Sequence, residues 1–551
     1  MRSLTAVTAA PPTPNGDLHL GHVSGPYLGA DVYARAARLR GGEAYYVTGS
    51  DLHQSYVPAK ARREGVDPLV MAEGYADEIA EIFTSAAFAT AAVVRPQHTP
   101  EHTRIVTEFF ARLDERGALR EVTEPLPHCA TCDRYLFEAH LTGRCPHCGV
   151  ACDGNSCENC ALPNNVSDLV DAVCNVCKSV PTTRLGTRLV LPLAEYADRL
   201  RAYHASTVMS PQLEALCADM LAAGLPDIPV THPTDWGLPM PGHPGQRIYV
   251  WGEMVPGYFA ELAQATTTAD WRSAWDRAEV VQFFGFDNGY FHAVLFPALM
   301  MAYDPGLKLP SALLTNEFYL LGDTKFSTSR RHAIWATDLL AQVPGSVVRF
   351  VLSHDRPEVA RTSFGWDRFH ALADGELAEN WQGWLSALFE RVTAAGGRVP
   401  SFAAATRSQH EFLLRLDTVA QDILSAYDAA GFSTRRAARG LVRLVAEAVD
   451  FAAAQSRRTT QLGLSAEATG SAGLAVAAAA VAAELAAART LAQVAYPLMP
   501  EFAQRLWTAL GEAGAPRWIG TDPPPAGQEV DTTAVFFTRL PGDLEQTVMK
   551  S

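Results

Sequence analysis

Apolar positions change period several times along the chain, and each change marks an element. Leu4, Ala6 and Val7 form a short run that predicts a strand, and Val23, Tyr27, Leu28, Val32 and Ala36 follow at helical spacing. Between them lies Pro11-Pro12-Thr13-Pro14-Asn15-Gly16-Asp17-Leu18-His19-Leu20-Gly21-His22, whose prolines and glycines predict a strand-to-helix turn. Ala44-Tyr45-Tyr46-Val47 predicts a second strand, running into Thr48-Gly49-Ser50-Asp51-Leu52-His53. Strands and helices alternate to about residue 110, as in an open parallel α/β sheet. The alternation lapses from 111 to 234 and resumes near 235, with strands predicted over Arg247–Trp251 and Val280–Asp287. From about 376 to 515 the pattern is helical. Leu413, Leu414, Leu416 and Val419, then Leu441, Val442, Leu444 and Val445, have the spacing of bundle helices. Residues 472–488 are rich in alanine, which favours helix and close packing. Pro523-Pro524-Pro525 predicts a loop.

The 551 residues suffice for three or four domains, and 48% apolar with 19% charged residues is a globular balance. The net charge of −15 does not advertise a nucleic-acid partner, although it leaves room for a local basic face. Met1-Arg2 runs into the first strand with no secretory signal. Gly473 to Ala483 is too short and too weakly apolar before Glu484 to span a bilayer, so no membrane partner is expected. Eight of the ten cysteines stand in C-x-x-C pairs, which points to metal in a reducing compartment and a cytoplasmic protein.

Those pairs are Cys129/Cys132, Cys145/Cys148, Cys157/Cys160 and Cys174/Cys177. Two pairs make one tetrahedral Cys₄ site, so four make two structural Zn²⁺ sites with every position closed by sulfur. Redox dithiols are the main rival. Spacing alone allows three ways to combine the pairs; Cys152 and Cys217 are left over as small apolar residues. His19 and His22 sit one turn apart at a helix start, where backbone N–H groups and imidazole donors suit a phosphate. Gly21 between them lets a flat base come close. Alone, such a pair is as often a helix cap. A second signal, the small, hydroxyl-rich, basic run Gly322-Asp323-Thr324-Lys325-Phe326-Ser327-Thr328-Ser329-Arg330, decides for chemistry. Asp51 stands at the carboxyl end of a strand, where ligands bind in such sheets and a carboxylate suits an ammonium group.

Together the two signals resemble the HIGH and KMSKS signatures of class I aminoacyl-tRNA synthetases, and the surrounding residues are most similar to methionyl-tRNA synthetases. Val348–Leu352, Arg356-Pro357-Glu358 and Phe364–Asp367 extend the likeness past the second signature. The resemblance implies a Rossmann-like (HUP) parallel-sheet catalytic domain with an inserted zinc-knuckle domain and a C-terminal α-helical bundle. The expected divisions are 1–110 and 235–320 for the two catalytic halves, 111–234 for the insertion, 321–375 for the signature loop and its link, and 376–551 for a bundle resembling an anticodon-binding domain. Phe536–Leu540 is expected to be its closing strand. The implied chemistry is activation of an amino acid by ATP with Mg²⁺. His19, His22, Lys325 and Arg330 would stabilise the phosphates, and Pro12, Asn15, Gly16, Gly21, Gly285, Asp287, Ser327 and Ser329 would bind ATP. Thr13, Asp51, Trp251, Met254, Tyr258, His292 and Phe296 would hold the amino acid. The likeness also implies nested zinc sites, Cys145/Cys148/Cys157/Cys160 inside Cys129/Cys132/Cys174/Cys177.

The chain departs from the family pattern at telling places. Gln54 replaces Gly, Thr13 replaces Tyr, Met254 and Val255 replace Ala and Pro, and Phe296 replaces Trp. Met for Ala overpacks a pocket by about 1–3 kcal/mol unless the ligand is smaller. Thr328 replaces the second lysine of the loop, and Arg331-His332 replaces Gly-Asn. Trp384 and Leu388 stand where the bundle would carry the Asn and Arg that read an anticodon, and Arg458-Thr459 where it would carry Pro-Trp. These departures favour an enzyme that passes its activated amino acid to a small amine or hydroxylamine acceptor without tRNA. The alternative is a methionine–tRNA ligase working on the tRNA acceptor end; the third expectation is an impaired RNA- or ligand-binding module.

Overall fold

The computed structural model describes residues 4–154, 156–322, 324–326, 333–461 and 471–550, with the backbone alone for Lys325, 458–461 and Lys550. Its centre is a six-stranded parallel sheet. The strands are β1 (Leu4–Ala9), β2 (Glu43–Gly49), β3 (Thr90–Val94), β4 (Val208–Met209), β5 (Ala278–Gly285) and β6 (Ala312–Asn316), in the spatial order β4-β6-β5-β1-β2-β3. Val7 of β1 lies in register with Tyr46 and Val281, and all three are fully buried because helices cover both faces. The order reverses beside β1, which leaves a crevice at the carboxyl ends of β1 and β5. Helices α1 (Leu28–Leu39), α2 (Pro100–Glu115) and α3 (Val250–Ala265) belong to this layer. The strand expected over Arg247–Trp251 is cut short. Only Gln246–Ile248 is extended, and α3 starts at Val250 because Gly252 and Glu253 send their N–H groups to Tyr249 O and close the first turn.

The insertion leaves the sheet on a long antiparallel ribbon, Arg120–Cys129 against Thr182–Pro192. Beyond it are only short strands, and the small core is made of Cys129, Cys145, Cys157 and Cys174 with Leu136, Leu141 and Val166. A core that small holds together when metal cross-links it. Cys152 and Cys217 are buried, as small apolar residues should be.

The chain returns through α4 (Gly345–Asp355) to a bundle of α5 (Gln382–Ala394), α6 (Arg407–Ser425), α7 (Thr434–Gln461), α8 (Ser471–Ala495) and α9 (Pro500–Ala509). Among the described helices, α8 is long and apolar enough to cross a membrane by length and composition. Here it is a bundle helix, with Ala482, Ala483 and Leu485 to Ala488 fully buried. The closing strand expected at Phe536–Leu540 is irregular chain. Its amides are satisfied by helix side chains instead of a sheet: Phe536 and Phe537 donate to Gln382 Oε1 at 2.7 and 3.0 Å, and Leu540 donates to Asp374 Oδ1 at 2.7 Å. A buried arginine ties the bundle to the sheet layer. Arg349 of α4 donates to Asp31 on α1 at 2.7 Å and to Leu498 O, Pro497 O and Ala86 O at 2.6, 2.8 and 3.1 Å.

Candidate active site

The turn after β1 is held from two sides. Leu20 donates to Ile334 O and Ala336 donates to Leu18 O, so the segment after the second signature clamps the first. On the other side Lys60 donates to Asn15 O at 2.7 Å. His19 and His22 stack at 3.7 Å between ring centroids, and Phe326 stacks on the far face of His19 at 4.9 Å. A Cβ on Gly21 would come within 3.0 Å of the His19 ring, so that close approach needs glycine.

These residues open onto a cavity of about 560 Å³ at the carboxyl edge of the sheet. Pro12, Asn15, Gly16, Gly21, Gly285 and Asp287, the described residues expected to bind ATP, all line it. A Cβ on Gly285 would sit 2.4 Å from Asp287 Oδ1, so a larger residue there would have to turn the Asp287 carboxylate aside. Lys325 is paired by its backbone in a short strand with Leu320. Its side chain, and Ser327, Ser329 and Arg330 with Thr328, Arg331 and His332, lie outside the described residues, so the second signature's chemistry is not placed.

At the other end Asp51 N–H donates to Pro12 O at 3.0 Å, and Thr13 Oγ1 donates to Asp51 Oδ2 at 3.3 Å. Burial, then the charges of Glu253 and Glu138, push the Asp51 carboxyl well above the usual range, while hydrogen bonds from Gln54 and Thr13 oppose them. A cation arriving beside it would favour the charged form and draw the carboxyl back down. Trp251 lies flat on Phe291 at 3.7 Å, and Met254 is part of the wall. Tyr258, His292 and Phe296 are not on that wall. They are buried with one another, His292 stacked on Phe284 at 4.0 Å and 4.6 Å from Phe296, and burial pulls the His292 imidazole down to about 3. Thr13, Asp51, Trp251 and Met254 therefore meet at the cavity, whereas the other three amino-acid candidates pack outside its lining.

The structure adds residues to which the sequence assigned no place in the site. Glu138 reaches in from the insertion, and Gln54 lines the cavity beside Asp51. Behind them Glu253 is clamped between two histidines, His53 Nδ1 at 2.8 Å and His102 Nε2 at 2.9 Å. Nearness to Asp51 in sequence was a signal for His53 and Gln54; Glu138 had none, since only folding carries it there. Asp51, Glu138, Asp153, Glu158, Asp287 and Glu317 line the cavity, and no lysine or arginine is among its described lining residues.

The cysteines gather in the nested sets, Cys129/Cys132/Cys174/Cys177 and Cys145/Cys148/Cys157/Cys160, each with its sulfurs within 4.8 Å of one another. The closer sulfur–sulfur distances run from 3.3 Å (Cys129–Cys177) to 4.0 Å (Cys132–Cys174). A zinc tetrahedron with 2.3 Å bonds has edges of about 3.8 Å, so both donor sets fit the metal.

Known proteins fit this arrangement. The family model described as tRNA synthetases class I (M) matches residues 5–389. The chain is 33% identical to a methionine–tRNA ligase of Thermomicrobium roseum over 431 residues, covering 76% of this chain and 73% of that one. It is 28% identical to one of Aeropyrum pernix over 98% of this chain and 96% of the other. Among solved structures it is similar to Mycobacterium tuberculosis methionyl-tRNA synthetase in complex with methionyl-adenylate, with TM-score 0.80, 19% identity, and 98% and 100% of the two chains covered.

Proposed function

The chain belongs to the methionyl branch of the class I tRNA synthetases, an ATP-dependent ligase family, and from that premise we propose that it activates an amino acid as its adenylate in this cavity. The observation that carries the reading is the convergence of His19, His22 and Asp51 on one cavity at the sheet's carboxyl edge. The amino-acid carboxylate oxygen bonds to the α-phosphorus of ATP as the bond to pyrophosphate breaks, so no protein nucleophile is needed. Asp51 holds the ammonium group. His19, His22 and the N–H groups of the helix start would face the α-phosphate; Lys325 and Arg330, whose side chains lie outside the described residues, would meet the departing pyrophosphate, and Mg²⁺ would supply counter-charge to it. Positioning and charge stabilisation then supply the rate. The two Cys₄ sets would each hold a structural zinc ion that keeps the insertion folded over the cavity.

The relatives' names, methionine–tRNA ligase, support methionine as the amino acid and tRNA as its destination. Transfer to a small amine or hydroxylamine is the second reading, favoured by particular observations. Trp384 and Leu388 are buried in the bundle at 5% and 0% exposure, where they present no base-reading groups, and carboxylates line the cavity. ATP–pyrophosphate exchange over a full amino-acid panel without tRNA tests the activation step. Exchange with methionine followed by charging of tRNA supports the ligase. Exchange with trapping by hydroxylamine, and no charging of tRNA, supports the second reading; silence across the panel overturns both.

A further inference from the structure

The cysteine-bearing insertion contributes more than a cover. Glu138 follows Phe137 at a sharp bend and takes a left-handed backbone, φ 43°, which costs a residue with a side chain about 1–3 kcal/mol unless its surroundings enforce it. They do so here. Asn175, inside the outermost knuckle, donates from its backbone N–H to His140 O at 2.9 Å and from its amide to Ala139 O at 3.0 Å. Phe137 stacks on His232 at 4.3 Å, and His232 meets Tyr249 edge-on at 4.9 Å. Thus fixed, the Glu138 carboxylate, 4% exposed, reaches the cavity wall. Its Oε1 accepts from Trp251 Nε1 at 3.1 Å and from Tyr249 OH at 3.0 Å; its Oε2 accepts from Ser55 Oγ at 3.0 Å. The same Ser55 Oγ accepts the Ala139 N–H at 3.2 Å. One carboxylate therefore joins the insertion to the aromatic wall of the amino-acid site and to the turn that carries Asp51.

The geometry points to Glu138 as a positioning residue for amino-acid binding, holding Trp251 and the Asp51 turn at a fixed separation. This rests on the reading of Asp51 as the ammonium ligand. Glu138 also acts on Asp51 through space: after burial, its charge and that of Glu253 raise the Asp51 carboxyl, against the hydrogen bonds of Gln54 and Thr13, and Tyr27 and Tyr258 are also coupled to Asp51 by charge. Charge and reach can be separated by substitution. Glu138→Gln removes the charge, and Glu138→Asp keeps it on an arm one methylene too short for both partners.

The experiment is ATP–pyrophosphate exchange by the full chain, using whichever amino acid the panel identifies, with thermal midpoint and zinc content as checks on folding. Loss of a charge-assisted hydrogen bond in a buried site should raise the amino-acid KM about tenfold or more in both variants, with the KM for ATP within about twofold of the parent. In Glu138→Gln the acid-side fall of kcat/KM for the amino acid should also move to lower pH, because Asp51 loses a negative neighbour. In Glu138→Asp it should stay in place. Equal increases in both KM values, no increase in the amino-acid KM, or an unmoved acid limb in Glu138→Gln would overturn the proposal. If Glu138→Gln fails to fold, Ser55→Ala removes the tie from Glu138 to the Asp51 turn, together with the Ala139 N–H bond to the same hydroxyl, and leaves the Trp251 and Tyr249 bonds in place; an unchanged amino-acid KM there has the same force. Absence of exchange by the parent chain would instead overturn the proposed function.

Discussion

Replacing Arg349 with methionine should loosen the bundle from the sheet layer. Arg349 is 1% exposed, and its guanidinium donates to Asp31 and to three backbone carbonyls: Ala86 before β3, and Pro497 and Leu498 in the turn between α8 and α9. Methionine replaces the apolar stem, stops short of the guanidinium and leaves all four acceptors without that donor. Asp31 would keep Arg35 Nε at 2.8 Å and Ala89 N–H at 2.8 Å, so its charge is not left bare. Removing one partner of a buried ion pair costs about 3–5 kcal/mol when the other charge is left bare; Arg35 spares Asp31 much of that, and three stranded carbonyls at about 1–3 kcal/mol each bring the total back to the same range. The expected loss is therefore about 3–5 kcal/mol. Hydrogen exchange read by mass spectrometry is the suitable assay, because a chain with several domains has no single unfolding free energy. Peptides covering residues 345–355 and 490–505 should show their opening free energy fall by that amount, while those over the cysteine insertion stay unchanged. A fall below about 1 kcal/mol in both segments would refute the reasoning.

Three further outcomes follow from the cavity and its supports. Met254→Ala should widen the amino-acid end and raise kcat/KM for methionine relative to smaller amino acids about tenfold in pyrophosphate exchange; an unchanged ratio would mean that Met254 sets no limit on size. The purified chain should carry two zinc ions, with Cys145→Ser and Cys129→Ser each losing one equivalent by elemental analysis. Loss of both ions in either variant would contradict separate sites. Glu253 and His53 should make stability depend on pH. Burial opposes charge on Glu253, but His53 and His102 outweigh it and hold the carboxyl at about 2, below the usual 4.5. Its contribution is full above 4.5 and lost as pH falls through about 2. Burial likewise opposes charge on His53, but Glu253 raises it above 6.5, so its contribution is full below 6.5 and lost as pH rises through the raised value. The difference in thermal midpoint between the parent chain and Glu253→Gln should therefore be largest between about pH 4.5 and 6.5. A difference that grows above pH 8 would reverse the assigned sign.

Periodicity made much of the architecture legible, because a parallel strand buried on both faces and an amphipathic helix leave distinct marks on the chain. The strand-turn-helix around His19 and His22, the place of Asp51 at a strand end and the gathering of eight cysteines were all readable. Spacing left the pairing of the cysteines open; folding brought the outer and inner sets together. Arg247–Trp251 misled because a short apolar run suits a strand or the first turn of a buried helix equally. Phe536–Leu540 misled because its amides meet the side chains of Gln382 and Asp374, partners more than 150 residues away. Tyr258, His292 and Phe296 have the residue types of a binding wall, but only packing decides which aromatic faces a cavity and which one backs it. Glu138 is the sharpest case. Nothing local distinguishes it from other glutamates, and its role comes from meeting Ser55, Tyr249 and Trp251 across segments far apart in the chain. Local pattern fixes what a segment can become; which polar group is buried beside which other is a property of the assembled fold, since burial and pairing arise only when distant segments exclude water together.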